Sequence, residues 1–166
     1  MPIADMLISE LEREAKTTRR VLERVPDDKL TWKPHVKSMT LGRLALHVAT
    51  IPGSISGMAR LDSYDVANFS EPPAVESTAA ILAAFDRSVA QAKADLAATD
   101  DAAMMKDWSF NMGGNPIMTV PRIGVYRSIL LNHLYHHRGQ LTVYLRLLDV
   151  PVPSIYGPSA DENPFA

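Results

Sequence analysis

Residues 121–148 constrain the fold more than any other stretch. Tyr126, Ile129, Leu130, His133, His136, His137, Gln140, Leu141, Tyr144, Leu147 and Leu148 fall on one stripe at helical period. A helix this long with one such stripe calls for other helices to cover it. Three of the chain's five histidines lie on the stripe. His133 and His137 are four residues apart, so their rings leave the helix about 40° apart and converge on one point. Two helix-borne metal ligands need that geometry, as in the His-Glu-x-x-His zinc helix. The Glu is missing here, so that protease motif is excluded. Imidazoles on a buried stripe are costly unless their nitrogens find partners. A metal on one nitrogen and an acceptor on the other supply both. The alternative is a hydrogen-bonded cluster of neutral histidines.

Three further amphipathic stretches can cover that helix. In 2–25, Ile3, Met6, Leu7, Leu11, Ala15, Thr18, Val21, Leu22 and Val25 recur at helical spacing behind Pro2, and Pro26-Asp27-Asp28 stops them. In 40–62, Ser38 or Thr40 can cap a stripe of Leu41, Leu44, Val48, Ile51, Ile55 and Met58. His47 stands in this stripe, and Pro52-Gly53 should kink the helix just after it. In 77–98, Ile81, Leu82, Phe85, Val89, Ala92 and Leu96 point inward on an alanine-rich background. Between these helices, 30–39 reads as an ordered connection with Trp32 and Pro34 as packing anchors and His35 as an exposed loop residue. Residues 62–76 read as a loop of the length used for lids and binding segments, with Pro72-Pro73 keeping it out of a helix. Gly113-Gly114 between two short apolar runs signals a hairpin over 108–120. The tail 154–166 offers Ile155, Tyr156 and Phe165 for docking. The fold expected is all-α: a single domain over 1–166, a four-helix bundle with long connections and a small β-hairpin or extended loop before the last helix.

Composition narrows the function. A net charge of −2 with signs interspersed argues against a nucleic-acid partner held by a basic surface. Cysteine is absent, so disulfides and thiolate metal sites are excluded, and any nucleophilic thiol must be borrowed. No apolar run reaches the roughly 20 residues that span a bilayer, and no signal peptide opens the chain. A cytoplasmic protein without a membrane partner is expected.

His47, His133 and His137 can bind one metal if their helices are neighbours. Three neutral imidazoles leave a position open, as catalytic rather than structural sites do. Imidazole suits zinc, nickel, iron(II) and copper alike. With no anionic ligand the site keeps the ion's charge and attracts an anion or lowers the pKa of a nearby water or thiol. His136, Gln140, Tyr126 and Tyr144 are candidates to orient the ligands. Arg138 faces away from the stripe and should pair with an acid, and Gly139 would let another helix approach closely.

The run His133-Leu-Tyr-His-His137-Arg-Gly-Gln-Leu141 resembles the signature of the DinB/YfiT-like superfamily of four-helix bundles. His47 within Leu-Ala-Leu-His-Val-Ala is similar to that family's first metal histidine. The segment Trp32-Lys-Pro34 and the tail Val-Pro153-Ser-Ile-Tyr156-Gly-Pro158 also resemble family features. The resemblance implies a metal on His47, His133 and His137, often nickel or zinc, and a frequent homodimer built through bundle helices. It further implies an S-transferase that uses a low-molecular-weight thiol, as bacillithiol- and mycothiol-dependent relatives do, on an electrophilic small molecule. Two alternatives stand beside it: a metal-dependent hydrolase, and a non-catalytic dimeric bundle whose metal is structural or sensory. The fourth helix's stripe holds no carboxylate to act as a general base, which counts mainly against the hydrolase.

Overall fold

A computed structural model describes residues 1–70 and 73–165. The chain is mostly helical, with a small three-stranded sheet. Helix α1 spans Ile3–Leu22, α2 Leu41–Ala59, α3 Thr78–Ala97 and the short α4 Asp101–Met104. The last helical stretch is composite. A turn of α-helix, α5 (Arg122–Gly124), runs into a π-helical segment, Val125–Leu131, and then into α6, Asn132–Leu147.

Local chemistry fixes the starts and stops. The Thr40 hydroxyl accepts from Arg43 N at 3.2 Å, Ser77 from Ala80 N at 3.2 Å and Asp100 from Ala103 N at 2.7 Å, each satisfying an otherwise orphaned helix N–H. At the end of α6, Asp149 takes a positive φ of 56°, and Val150 N–H reaches back to the Leu145 carbonyl at 3.0 Å. That is the left-handed stop most often made by glycine.

Helix α2 is the centre of the fold. It packs against α3 on one side and against α6 and the π-helical segment on the other, while α1 packs against α3 and α6. Leu11, Leu22, Leu41, Leu44, Val48, Ile81, Phe85, Leu134, Leu141 and Leu145 are all buried in the core between them. The first three helices follow the expected stripes except at Met6, which is 52% exposed. The last does not: in α6 the buried face is Leu134, Arg138, Leu141 and Leu145, while His136, Gln140 and Leu147 are exposed. The π-helical segment explains the shift. It widens its turns by about one residue, so a single helical wheel drawn through 121–148 loses phase across it.

Arg138, expected to face outward, is 1% exposed. It does pair with an acid, Glu14 of α1, at 2.7 Å, and it also donates to Thr18 Oγ1 at 3.1 Å and the Tyr156 hydroxyl at 2.6 Å. Its burial is compatible with folding because these partners replace water. Tyr156 thereby ties the C-terminal tail to α1 and α6, together with the ion pairs Arg20–Glu162 and Arg146–Asp161. Phe165, expected to dock, is 80% exposed.

The expected hairpin is present, β2 (Asp107–Met112) against β3 (Asn115–Pro121), with Trp108 opposite Val120 and Phe110 opposite Met118. Gly113 and Gly114 turn it with φ of 59° and 80°, the two positive values a tight two-residue hairpin turn requires. A third strand, β1 (Ser63–Asp65), lies within the stretch expected to be loop and pairs parallel to β2, Ser63 beside Ser109. Of that 62–76 stretch, Glu71 and Pro72 lie outside the described residues, as does Ala166 of the tail. Among the described residues, no helix is long and apolar enough to cross a membrane.

Candidate metal centre

Helices α2 and α6 meet with three imidazoles between them. His47 comes from α2, His133 and His137 from α6, and their ligand-capable nitrogens all lie within 4.8 Å of one another. The ring centroids of His47 stand 4.9 Å from His133 and 4.5 Å from His137, and those of His133 and His137 stand 4.6 Å apart. All three rings are half-buried on the flank of the helix interface rather than in the core. The spacing of His133 and His137 is the i, i+4 geometry expected; the convergence with His47 comes from the packing of α2 on α6.

The donor set fits a metal ion. His47 Nε2 and His133 Nε2 are 3.2 Å apart. Two nitrogens bonded to one tetrahedral ion at about 2.0–2.1 Å stand about 3.3 Å from each other. At His137 and His133 the other ring nitrogen has an acceptor, as metal ligands require. His137 Nδ1 donates to Gln140 Oε1 at 2.7 Å, which leaves its Nε2 lone pair available, and the His133 ring hydrogen-bonds the backbone of Ile129. Burial lowers the pKa of His47 to about 4, with smaller contributions from His137, His133 and Arg43. Burial likewise lowers His133 and His137, although the Gln140 hydrogen bond works against it at His137. The rings are therefore neutral at neutral pH, the form that binds a metal.

The other residues expected around the site divide. Gln140 touches His137 as described. Tyr144 stacks edge-on with Trp32 at 5.8 Å and donates to the Met39 carbonyl at 3.3 Å, so it braces the 30–39 connection. His136 is exposed, with its ring 4.7 Å from that of His137. Tyr126 sits in the core beside Leu7, Leu11, Leu96, Leu130 and Leu131, away from the cluster. His35 is an exposed loop residue, as read from the sequence, and its Nδ1 accepts from Lys37 N at 3.2 Å.

Two cavities flank His47. One, of about 240 Å³, has His47 and His133 in its wall with Arg43, Thr50, Ser54 and Phe69. The other, of about 590 Å³, runs past His47 toward Leu30, Met39, Leu46 and Val75, and shares Arg43 and Phe69 with the first. Phe69 and Val75 belong to the 62–76 stretch expected to be a lid or binding segment; Arg43, Thr50 and Ser54 were not singled out from the sequence. Part of the signal was there: Arg43, Thr50 and Ser54 stand four residues before, three after and seven after His47, on the same helical face. Phe69 follows β1, and nothing local in the sequence points it at α2.

The sequence model of the DinB family matches residues 1–164. The chain belongs to the DinB family. A relative from Bacillus subtilis (strain 168), the uncharacterized protein YrdA, is 28% identical over 158 residues, a match covering 95% of this chain and 90% of that one. The crystal structure of a DinB-like protein from Bacillus cereus ATCC 10987 superposes with a TM-score of 0.76 at 23% identity, over 93% of this chain and 98% of the other. The DinB-like protein YjoA of Bacillus subtilis superposes at 0.71 with 16% identity, over 91% and 96%. These likenesses establish the DinB fold along the chain.

Proposed function

We propose that this DinB-family chain is a metal-dependent S-transferase, with one nickel or zinc ion held by His47, His133 and His137. The observation that carries the reading is the convergence of these neutral rings at the wall of a cavity, His47 and His133 lining it directly. A dication held there supplies charge that lowers the pKa of a thiol beside it. The four long helical stretches are read as the family's four-helix bundle, in a cytoplasmic protein.

The chain's own residues have separable tasks. Gln140 holds the His137 tautomer. Ile51, Ile55, Met58 and Phe69 give the cavity an apolar wall that limits water, and the Thr50 and Ser54 hydroxyls offer hydrogen bonds to a polar ligand. In the reaction, a low-molecular-weight thiol gives its proton to solvent. Its sulfur forms a bond to the electrophilic carbon as the leaving group departs with its electron pair. The thiol is borrowed because the chain has no cysteine.

We also propose that a homodimer forms through the outer face of α6. His136 and Gln140 are exposed there, Val143 and Leu147 are each 58% exposed, and a Cβ added at Gly139 would meet nothing within 4 Å. Light scattering of Val143→Glu should give a monomer where the parent chain gives a dimer.

Elemental analysis of untagged protein, followed by thiol titration of the cobalt-substituted form, tests the enzyme reading. About one metal per chain and a new sulfur-to-metal absorption on adding thiol are expected. His47→Ala, His133→Ala and His137→Ala should each abolish tight binding while helical content persists. A loaded site indifferent to thiols would overturn the transferase, and a chain that takes up no metal would overturn the site itself.

A further inference from the structure

Helix α2 carries a proline in its middle, and the structure around it bears on the site. Pro52 has no N–H to give to the Val48 carbonyl. The next residue, Gly53, gives its N–H to the Ser88 hydroxyl of α3 at 2.7 Å. The same hydroxyl donates to the Thr50 carbonyl at 3.2 Å. Ser88 is thus inserted into the backbone ladder of α2, bridging a donor after the proline and an acceptor before it. One turn earlier, the Thr50 hydroxyl lies 2.9 Å from the Leu46 carbonyl and 3.3 Å from the His47 carbonyl. Thr50 is thus held through its carbonyl by Ser88 of α3 and reaches through its own hydroxyl to the backbone of His47.

Close packing enforces the joint. Ser88 is 8% exposed, and a Cβ added at Gly53 would stand 3.1 Å from Ser88 Cα and 3.2 Å from its carbonyl oxygen. The two helices touch there backbone to backbone. Proline interrupts the ladder of a helix and kinks it, and a side chain inserted into the ladder is another identifiable cause of a bend. The half of α2 before the break carries His47; the half after it is anchored separately, by Ser56 donating to the buried Asp95 at 2.8 Å.

We propose that Ser88 is a positioning residue for His47: by bridging Gly53 N–H and the Thr50 carbonyl, it sets the angle at which the first half of α2 presents His47 to His133 and His137. This rests on the metal-site reading for its purpose, but the positioning itself can be read without metal.

The test compares Ser88→Ala with Ser56→Ala, which removes a hydrogen bond across the same α2–α3 interface beyond the break. In metal-free protein, ring-to-ring NMR contacts between His47 and His133 should be lost or weakened in Ser88→Ala and kept in Ser56→Ala. Gly53→Ala should behave like Ser88→Ala, because its added carbon displaces Ser88 without removing the hydroxyl. Zinc affinity, read by competition with a chromophoric chelator, should fall about 10-fold in Ser88→Ala and stay within about 2-fold of the parent in Ser56→Ala. Unchanged ring contacts in Ser88→Ala would overturn the proposal, as would equal losses in both variants in step with lost stability. Altered ring contacts in a protein whose parent takes up no zinc would support the positioning of His47 and refute the metal site instead.

Discussion

A single side chain, Gln140, decides which nitrogen His137 turns toward the centre. Its amide oxygen, 2.7 Å from His137 Nδ1, holds the proton there and leaves Nε2 to the site. Gln140→Leu keeps the volume but removes the acceptor. The expected result is a metal affinity lower by about 10-fold with an unchanged melting temperature of the metal-free protein, measured by chelator competition and thermal denaturation. The residue next to His137 behaves in the opposite way. Arg138 touches no ligand, and its guanidinium is satisfied by Glu14, Thr18 and Tyr156. Arg138→Ala leaves the Glu14 carboxylate without its cation in a nearly buried place, where breaking such a pair costs about 3–5 kcal/mol. Urea denaturation should show that loss, and Arg138→Met should recover part of it by refilling the space. Adjacent residues thus divide the labour: one ring serves the site, and one cation holds α6 against α1.

Among the elements, α1, α2 and α3 were legible because each pairs one regular apolar stripe with a stop or cap in the sequence, such as Pro26 or Ser77. The hairpin was legible from Gly113-Gly114. Strand β1 was not, since Ser63-Tyr64-Asp65 has no alternation of its own and pairs only because β2 offers it an edge. The buried face of α6 was misread for two physical reasons. A π-helical segment upstream changes the phase, and an arginine occupies the one position between Leu134 and Leu141 that completes the stripe. The three histidines survived that error because the i, i+4 relation of His133 and His137 lies wholly inside α6, beyond the π-helical turns. The two cavities were legible only in part: the 62–76 stretch was read as a binding segment, but how Phe69 and the 30–39 connection lie over α2 to close them was not. Helix α6 also carries a prediction of its own. Asp149 pays for its left-handed backbone, φ 56°, at the helix stop. Asp149→Gly should stabilise the fold by up to about 1 kcal/mol, seen as a higher urea midpoint with an unchanged slope.

For the molecule as a whole, the cluster sets a pH dependence. His47 has its pKa lowered from 6.5 to about 4, and burial lowers His133 and His137 in the same direction. Between those values the unfolded chain binds protons that the folded chain refuses, so stability falls as pH falls. The contribution is fully present above about 6.5 and is lost on the way down to about 4. Metal-free protein should therefore show a lower denaturation midpoint at pH 5 than at pH 7, and His47→Ala should flatten that difference. Bound metal should raise the midpoint at pH 7 and be released on acidification, as protons compete for the same nitrogens.

The π-helical segment Val125–Leu131 amounts to one residue more than an α-helix of the same rise would hold. Deleting a single residue there would let the stretch relax into plain α-helix, and the lost residue would offset the narrower turns, so side chains downstream would keep roughly their direction relative to those upstream. Forcing all seven residues into α-helix without a deletion would instead turn the downstream side chains by about 100°, taking the rings of His133 and His137 away from α2 and Leu134 and Leu141 out of the core. Length and winding together aim the last helix, so a family member could carry this stretch one residue shorter as plain α-helix and keep its histidines in place, but could not wind all seven residues as α-helix.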